Sequence, residues 1–366
     1  MAASARSILR RMLVLVSLAA GLFLLLEMSA RVHLFGSKGL SPATVNSLRG
    51  LPQSGYTQPS AEPRLGFELK PNLDGTFKLV PFRTNARGLR DREYELRKPQ
   101  GTFRVAVVGS SFALPAGVAI ERAFHTLLEE RFSRELAPTR VEFINFAVGM
   151  YNPEQVLAML ELRALAYQPD LVLMTATRLS MPWLVHDPSS AAGRAVRRLD
   201  PAALPSFGPA YPVLQSFLVR LALARLGQTP ATYVGWLERL AIALTSPAPP
   251  PRRGAPAPGA AGPPPVGSVI ERLARIGREK QIPIALVLLE FEDRERLPID
   301  GEVEAEARAQ GISYLDTRDA FRGTRASDFW IYELDPHPNA KAHEVFAEVI
   351  ATFLRSNGLL PMPPRP

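Results

Sequence analysis

The sequence predicts an α/β domain, a central five-stranded parallel sheet wrapped by helices, carried behind an N-terminal transmembrane helix. Three observations lead there. From Phe103 onward, short and nearly continuous apolar runs alternate with longer amphipathic stretches. That is the pattern of βαβ units whose strands are buried on both faces. An apolar run, Met12 to Leu26, follows Arg6, Arg10 and Arg11. The 366 residues are 46% hydrophobic with no cysteine, which allows one large core and excludes disulfides, thiol catalysis and Cys-ligated metal.

The amino-terminal elements follow in order. Glu27 and Arg31 interrupt the apolar run late, four residues apart and so on one helix face. Placed at headgroup level, they leave Met12 to Leu34 long enough to span a bilayer, which needs about 20 residues. No small-x-small cleavage site follows Leu26, so residues 1–35 are expected to be an uncleaved anchor rather than a signal peptide. The preceding arginines favour a cytoplasmic amino terminus and place the bulk of the chain outside the membrane. Residues 36–63, rich in Ser, Gly and Pro, read as a tether. Arg64 to Asp91 alternates short apolar runs with turn residues and predicts small strands on the domain edge.

The core spans 64–360. FRVAVVG is the first buried strand. AFHTLLEERFSREL is helical, with Phe124, Leu127, Leu128 and Phe132 along one face. VEFINFAV is the second strand. Asn152 and Pro153 open a helix as N-cap and first-turn proline. PDLVLMTA is the third strand. An insertion at 180–245 holds apolar helical stretches, VLQSFLVRLALARL and YVGWLERLAIAL, and a Pro-rich surface loop expected to be disordered occupies 246–266. The core resumes with the helix VIERLARIGREKQ, the strand IPIALVLLEF, a helix over Glu302 to Ala309 and the strand ISYLDTR. A last helix runs from Asn339 to a glycine stop at Gly358.

The formal net charge is +8, but arginines are interleaved with acids, as in DREYELRK and EDRERL. No basic stripe with aromatics is present, so nucleic acid is not an expected partner. His33, His125 and His186 stand alone in sequence and read as surface or core residues. The Gly109 turn lacks the further glycines or lysine of a phosphate loop, and no cofactor or metal is expected.

Chemistry concentrates in two segments. In an open parallel sheet the site lies beyond the carboxyl ends of the strands, where Ser110 and Ser111 follow Gly109 and are expected to start a helix. There backbone N–H groups can hold an oxyanion. Far along the chain, LDPHPNAKAH offers His337 between two prolines in a loop before the last helix, with Asp335 two residues earlier. A hydroxyl nucleophile needs such an imidazole, and the imidazole an orienting carboxylate. Glu333 and Asp328 are alternative orienting acids. Ser110 or Ser111 as a helix cap, and Asp335 or Asn339 as the cap of the last helix, are the readings without chemistry.

These blocks resemble the SGNH/GDSL hydrolase superfamily, specifically its membrane-anchored bacterial members, over Leu65 to Leu179 and Val269 to Leu360. RTNARGLRD resembles the Asn-x-x-Gly-x-Arg stretch ahead of the first core strand. FRVAVVGSSFALPAGV resembles the nucleophile block, NFAVGMYNPEQ the second block, YQPDLVLMTATRLS the third and DPHPNAKAH the last. The resemblance implies a three-layer α/β/α sandwich with Ser111 as nucleophile, His337 as base and Asp335 as its orienting acid. Ser110 stands where Asp is usual. Ser111, Gly149 and Ser180 become the oxyanion candidates. Ala147 and Met150 stand where glycines are common, and Leu179 stands where an Asn side chain would donate, with Thr177 and Ser180 nearby. The implied activity is an extracytoplasmic, periplasmic-side serine esterase acting on small acyl groups, often acetyl, on carbohydrate or other polar substrates. An O-acetyltransferase with the same triad, or a non-catalytic glycan-binding or envelope-assembly protein, is the alternative.

Overall fold

The computed structural model describes residues 2–48, 50–186, 216–225, 267–293 and 295–361. They fall into two compact units. The first contains residues 2–48, 216–225 and 332–335. The second holds the rest of the described chain.

In the first unit α1 (Ala2–Phe35) is a single helix of 34 residues, about 50 Å long at 1.5 Å per residue. It is long and apolar enough to cross a membrane, with a mean hydropathy of 2.2 over its most apolar window. Its side chains from Ile8 to Leu26 are largely exposed. Glu27 and Arg31 form the expected i, i+4 ion pair at 2.8 Å. The stretch read as a tether has helical structure of its own: a 3-10 turn over Gly36–Leu40, α2 (Pro42–Ser47) with proline in its first turn, and, in the second unit, another 3-10 turn over Leu51–Ser54.

The second unit begins with paired short strands: β2 to β4 fall in the turn-rich stretch from Arg64 to Asp91 where small strands are expected, whereas β1 lies in the stretch read as a tether. β1 (Thr57–Pro59) pairs with β2 (Phe67–Leu69), and β3 (Asp74–Phe77) with β4 (Val80–Arg83), both antiparallel. The core sheet contains β5 (Thr102–Val108), β6 (Arg140–Asn145), β7 (Leu171–Ala176), β8 (Ile284–Leu288) and β9 (Ser313–Asp316), all parallel, in the order β6-β5-β7-β8-β9. Arg104 and Glu142 lie opposite each other on β5 and β6 as a buried ion pair at 2.6 Å, one of the few polar features inside the sheet.

The chain leaves β5 toward one edge and afterwards builds toward the other. Right-handed crossovers therefore place α3 (Phe124–Glu135) on one face and α4 (Pro153–Leu162), α5 (Met181–Val185), α7 (Val269–Lys280) and α8 (Pro298–Ala309) on the opposite one, with α6 (Phe217–Arg225) in the other unit. The last helix, α9 (Ala340–Ser356), packs against α3. This is the three-layer sandwich. The helix expected from Glu302 starts earlier, because Pro298 occupies its first turn and Asp300 reaches back to Leu297 N at 2.5 Å. Of the insertion, 187–215 and 226–245 lie outside the described residues, as does the whole Pro-rich loop.

The direction of building reverses between β5 and β7, the position at which open parallel sheets place ligands beyond the carboxyl ends of the strands. Ser110 and Ser111 follow β5 there. Before α9, β10 (Trp330–Tyr332) and β11 (Asp335–Pro338) make a two-stranded hairpin, so His337 sits in a short strand rather than the expected loop.

Candidate active site

Gly109 ends β5 because no larger residue fits: a Cβ there would run into Thr175 Oγ1 and lie 3.0 Å from the Ala113 Cβ. Thr175 Oγ1 in turn donates to Val108 O at 3.2 Å. The carbonyl of Ser110 then accepts from Ala113 N at 3.1 Å and Leu114 N at 2.9 Å. This is one helical turn, and the predicted helix does not continue. Pro115 lacks the N–H that would bond to Ser111, and it disfavours helical geometry at Leu114. Regular α-helix resumes only at Phe124. Ser111 is thus presented on an isolated turn, half-buried.

Two polar side chains hold that turn. Arg90, fully buried, donates to Val118 O at 2.8 Å, Pro81 O at 3.2 Å and Pro115 O, with its guanidinium 4.6 Å from the Phe82 ring centre. The motif around it has one purpose. Asn85 Oδ1 accepts from the N–H groups of Arg87 and Leu89, and Gly88 takes a φ of +77° where a side chain would strike Leu69 O. The resulting turn delivers Arg90 inward. Asn145, at the end of β6, donates to Ala113 O at 3.0 Å and accepts from Ala147 N at 2.9 Å. It thereby links the Ser111 turn to the loop that carries Gly149. Arg90→Ala would leave two buried carbonyls, those of Pro115 and Val118, and the part-buried one of Pro81 without their donor. It is expected to destabilise the fold by ~3 kcal/mol or more, a fall of roughly 6–12 °C in Tm, with Arg90→Lys intermediate; thermal unfolding followed by circular dichroism measures it.

Gly149 lies against the nucleophile candidate. A Cβ built on it would be 3.9 Å from Ser111 Cβ, 3.5 Å from Leu114 Cδ2 and 3.1 Å from Leu51 Cδ2. The next residue, Met150, has a φ of +70°, a left-handed conformation that glycine adopts more readily than other residues. Among the described residues the backbone N–H groups of Ser111 and Gly149 donate no hydrogen bond within the protein. Two unengaged amides beside one hydroxyl are the elements of an oxyanion hole.

The third candidate donor is otherwise engaged. Ser180 Oγ donates to Thr177 O at 2.7 Å and accepts from Thr177 N at 2.9 Å, closing its own turn. Leu179 is 86% exposed.

His337 meets the nucleophile turn through Phe112, whose ring stands edge-on to the imidazole at 5.7 Å between centres. Its Nδ1 is 3.3 Å from Lys78 Nζ. Sequence reasoning missed Lys78. It is buried at the tip of the β3–β4 hairpin, where Lys78 and Leu79 have φ of +48° and +70°. Such a turn is normally marked by Asn or Gly, so no sequence signal pointed to it. Among the described residues Ser111 Oγ makes no hydrogen bond. Asp335, buried, opens the strand that carries His337. The cap of α9 is Asn339, whose Oδ1 accepts from Lys341 N and Ala342 N at 2.9 and 3.1 Å. No group of three or more His, Asp or Glu side chains among the described residues converges on a metal position.

No protein-family model matches the chain, and no curated protein matches it. Solved structures similar to it include LAE5, an α/β hydrolase enzyme from the metagenome of Lake Arreo, Spain, at 13% identity over 71% of this chain and 97% of that one, TM-score 0.39. Axe2, an acetylxylan esterase from Geobacillus stearothermophilus, matches at 12% identity over 69% and 94%, TM-score 0.39. The psychrotrophic esterase EstA from Pseudoalteromonas sp. matches at 11% identity over 70% and 99%, TM-score 0.37. At these values the likenesses say nothing about the chemistry of this chain.

Proposed function

We propose that the chain is a membrane-anchored, extracytoplasmic serine esterase that removes small acyl groups of the acetyl type from polar, carbohydrate-like alcohols. The observation that carries this reading is the turn at the end of β5: a half-buried Ser111 hydroxyl flanked by the unengaged amides of Ser111 and Gly149, with Phe112 packed on the His337 ring. Ser111 Oγ attacks the ester carbonyl while His337 takes its proton, and the two amides receive the developing oxyanion. Collapse of that intermediate breaks the bond to the alcohol, which leaves with the proton from His337. Water then repeats the sequence on the acyl-enzyme. Asp335, two residues before the base, is the orienting acid in this scheme. The helix α1 serves as the anchor, with the arginines before it on the cytoplasmic side. The acyl and acceptor preferences come from the sequence resemblance alone, and an O-acetyltransferase would differ only in replacing water by a sugar hydroxyl.

The engagement of Ser180 and the exposure of Leu179 favour a second reading, a non-catalytic binder. A missing oxyanion donor costs about 10²–10³ in turnover. Fluorophosphonate labelling of the full chain in detergent separates the two. The esterase reading expects covalent labelling of the wild type and none of Ser111→Ala. An unlabelled wild type would leave the binder.

A further inference from the structure

Glu27 is an unexpected residue in an apolar helix, and the first unit shows what it does. Its carboxylate is 4% exposed. It accepts from Ser216 Oγ at 2.7 Å, Leu218 N at 2.9 Å, Phe217 N at 3.3 Å and Arg31 Nε at 2.8 Å. Three of those donors belong to the start of α6, where Ser216 Oγ also accepts from Val219 N at 3.2 Å. A carboxylate at a helix N-terminus satisfies its orphan N–H groups and meets the positive end of its dipole. Glu27 is therefore the socket in which the inserted helix is seated on the anchor.

Both helices then grip one short segment, Tyr332 to Asp335. Arg220 of α6 donates to Leu334 O at 2.9 Å, and Arg225 pairs with Glu333 at 2.9 Å. Leu334 is buried in a cluster with Ala30, Leu48 and Phe217. Phe35, at the end of α1, stands edge-on to Phe217 at 5.3 Å and to Tyr332 at 5.0 Å. This segment is the turn of the β10–β11 hairpin, Glu333 and Leu334, with one residue of each strand, and the chain runs directly from it through Pro336 into His337.

We infer that α1 and α6 hold the turn of the hairpin whose second arm bears His337, with Glu27 and Arg220 as positioning residues. The inference rests on His337 being the base. It makes activity conditional on an intact anchor, because a base displaced by about 1 Å loses on the order of 10²-fold in rate.

The test compares Glu27→Ala, Arg220→Ala and Arg220→Lys with wild type, as full chains in detergent, by two readouts. Hydrogen exchange is expected to rise at residues 332–335 in both alanine variants while β5, β7 and β8 keep wild-type protection. Fluorophosphonate labelling is expected to slow by roughly 10- to 100-fold, with partial recovery in Arg220→Lys. Unchanged exchange at 332–335 in both alanine variants would overturn the inference, as would labelling within twofold of wild type despite raised exchange. A wild type that does not label defeats the esterase reading. Since the inference takes His337 as the base, that outcome overturns it too, and raised exchange would then report only the grip on the turn.

Discussion

Ser111→Ala and His337→Ala are each expected to lower kcat/KM toward an activated acetyl ester by ~10³-fold or more, and the double variant to fall no further. The reason is that in the proposed mechanism the two side chains do one job. Without the imidazole the hydroxyl keeps its proton, and without the hydroxyl the imidazole has no proton to take. What remains in every variant is the pair of amides at Ser111 and Gly149, which under that mechanism would still stabilise an oxyanion formed by attack of water. Steady-state kinetics of the three variants measures the effect. Losses that multiply in the double variant would mean that Ser111 and His337 act independently. Substantial turnover by Ser111→Ala would move the nucleophile elsewhere.

The parts of the site that were legible in the sequence are those built by local rules. The central strands β5, β7 and β8 are recognisable because they are buried on both faces and hence nearly all apolar, while the edge strands β6 and β9 carry polar residues among shorter apolar runs. Asn152 and Ser268 cap their helices as residue type and spacing suggest. The failed helix after Ser111 is also written in the sequence, since Pro115 stands four residues on. Other features depend on contacts that no local pattern encodes. Glu27 was readable as the partner of Arg31, yet its role as a cap for α6 joins positions about 190 apart. Lys78 reaches His337 across 259 positions from a turn lacking the residues that mark such turns. Arg90 was visible as part of a motif, but its function, holding the carbonyls of Pro115 and Val118, exists only once the second unit has folded.

The same packing predicts how the protein fails in acid. His125 and His343 are 1% and 0% exposed, and each has a ring nitrogen, Nε2, with no hydrogen bond among the described residues. Burial pulls both down to about 3 from an ordinary 6.5; the charge of Arg90 adds to this for both, and that of His343 adds further for His125. Between pH 6.5 and 3 the unfolded chain therefore binds two protons that the fold refuses. Asp91 works the other way. Burial, reinforced by the charge of Glu129, raises it from 3.8 to about 7, so between pH 7 and 3.8 the fold holds a proton that the unfolded chain lacks. The net excess in the unfolded state is one proton from pH 6.5 to 3.8 and two just below that. These three groups together make stability fall with acidity by ~1.4 kcal/mol per pH unit in the first window and about twice that in the second. His343→Phe keeps a ring beside Phe124, whose plane lies 17° from that of His343, and removes one of the two refused protons. From pH 6.5 to 3.8 its stability is expected to depend on pH less steeply than wild type by ~1.4 kcal/mol per unit, even if it is less stable at pH 8 through loss of the acceptor for Phe124 N. Denaturation midpoints of both proteins across that range decide it; parallel pH dependences would show that His343 is protonated in the fold.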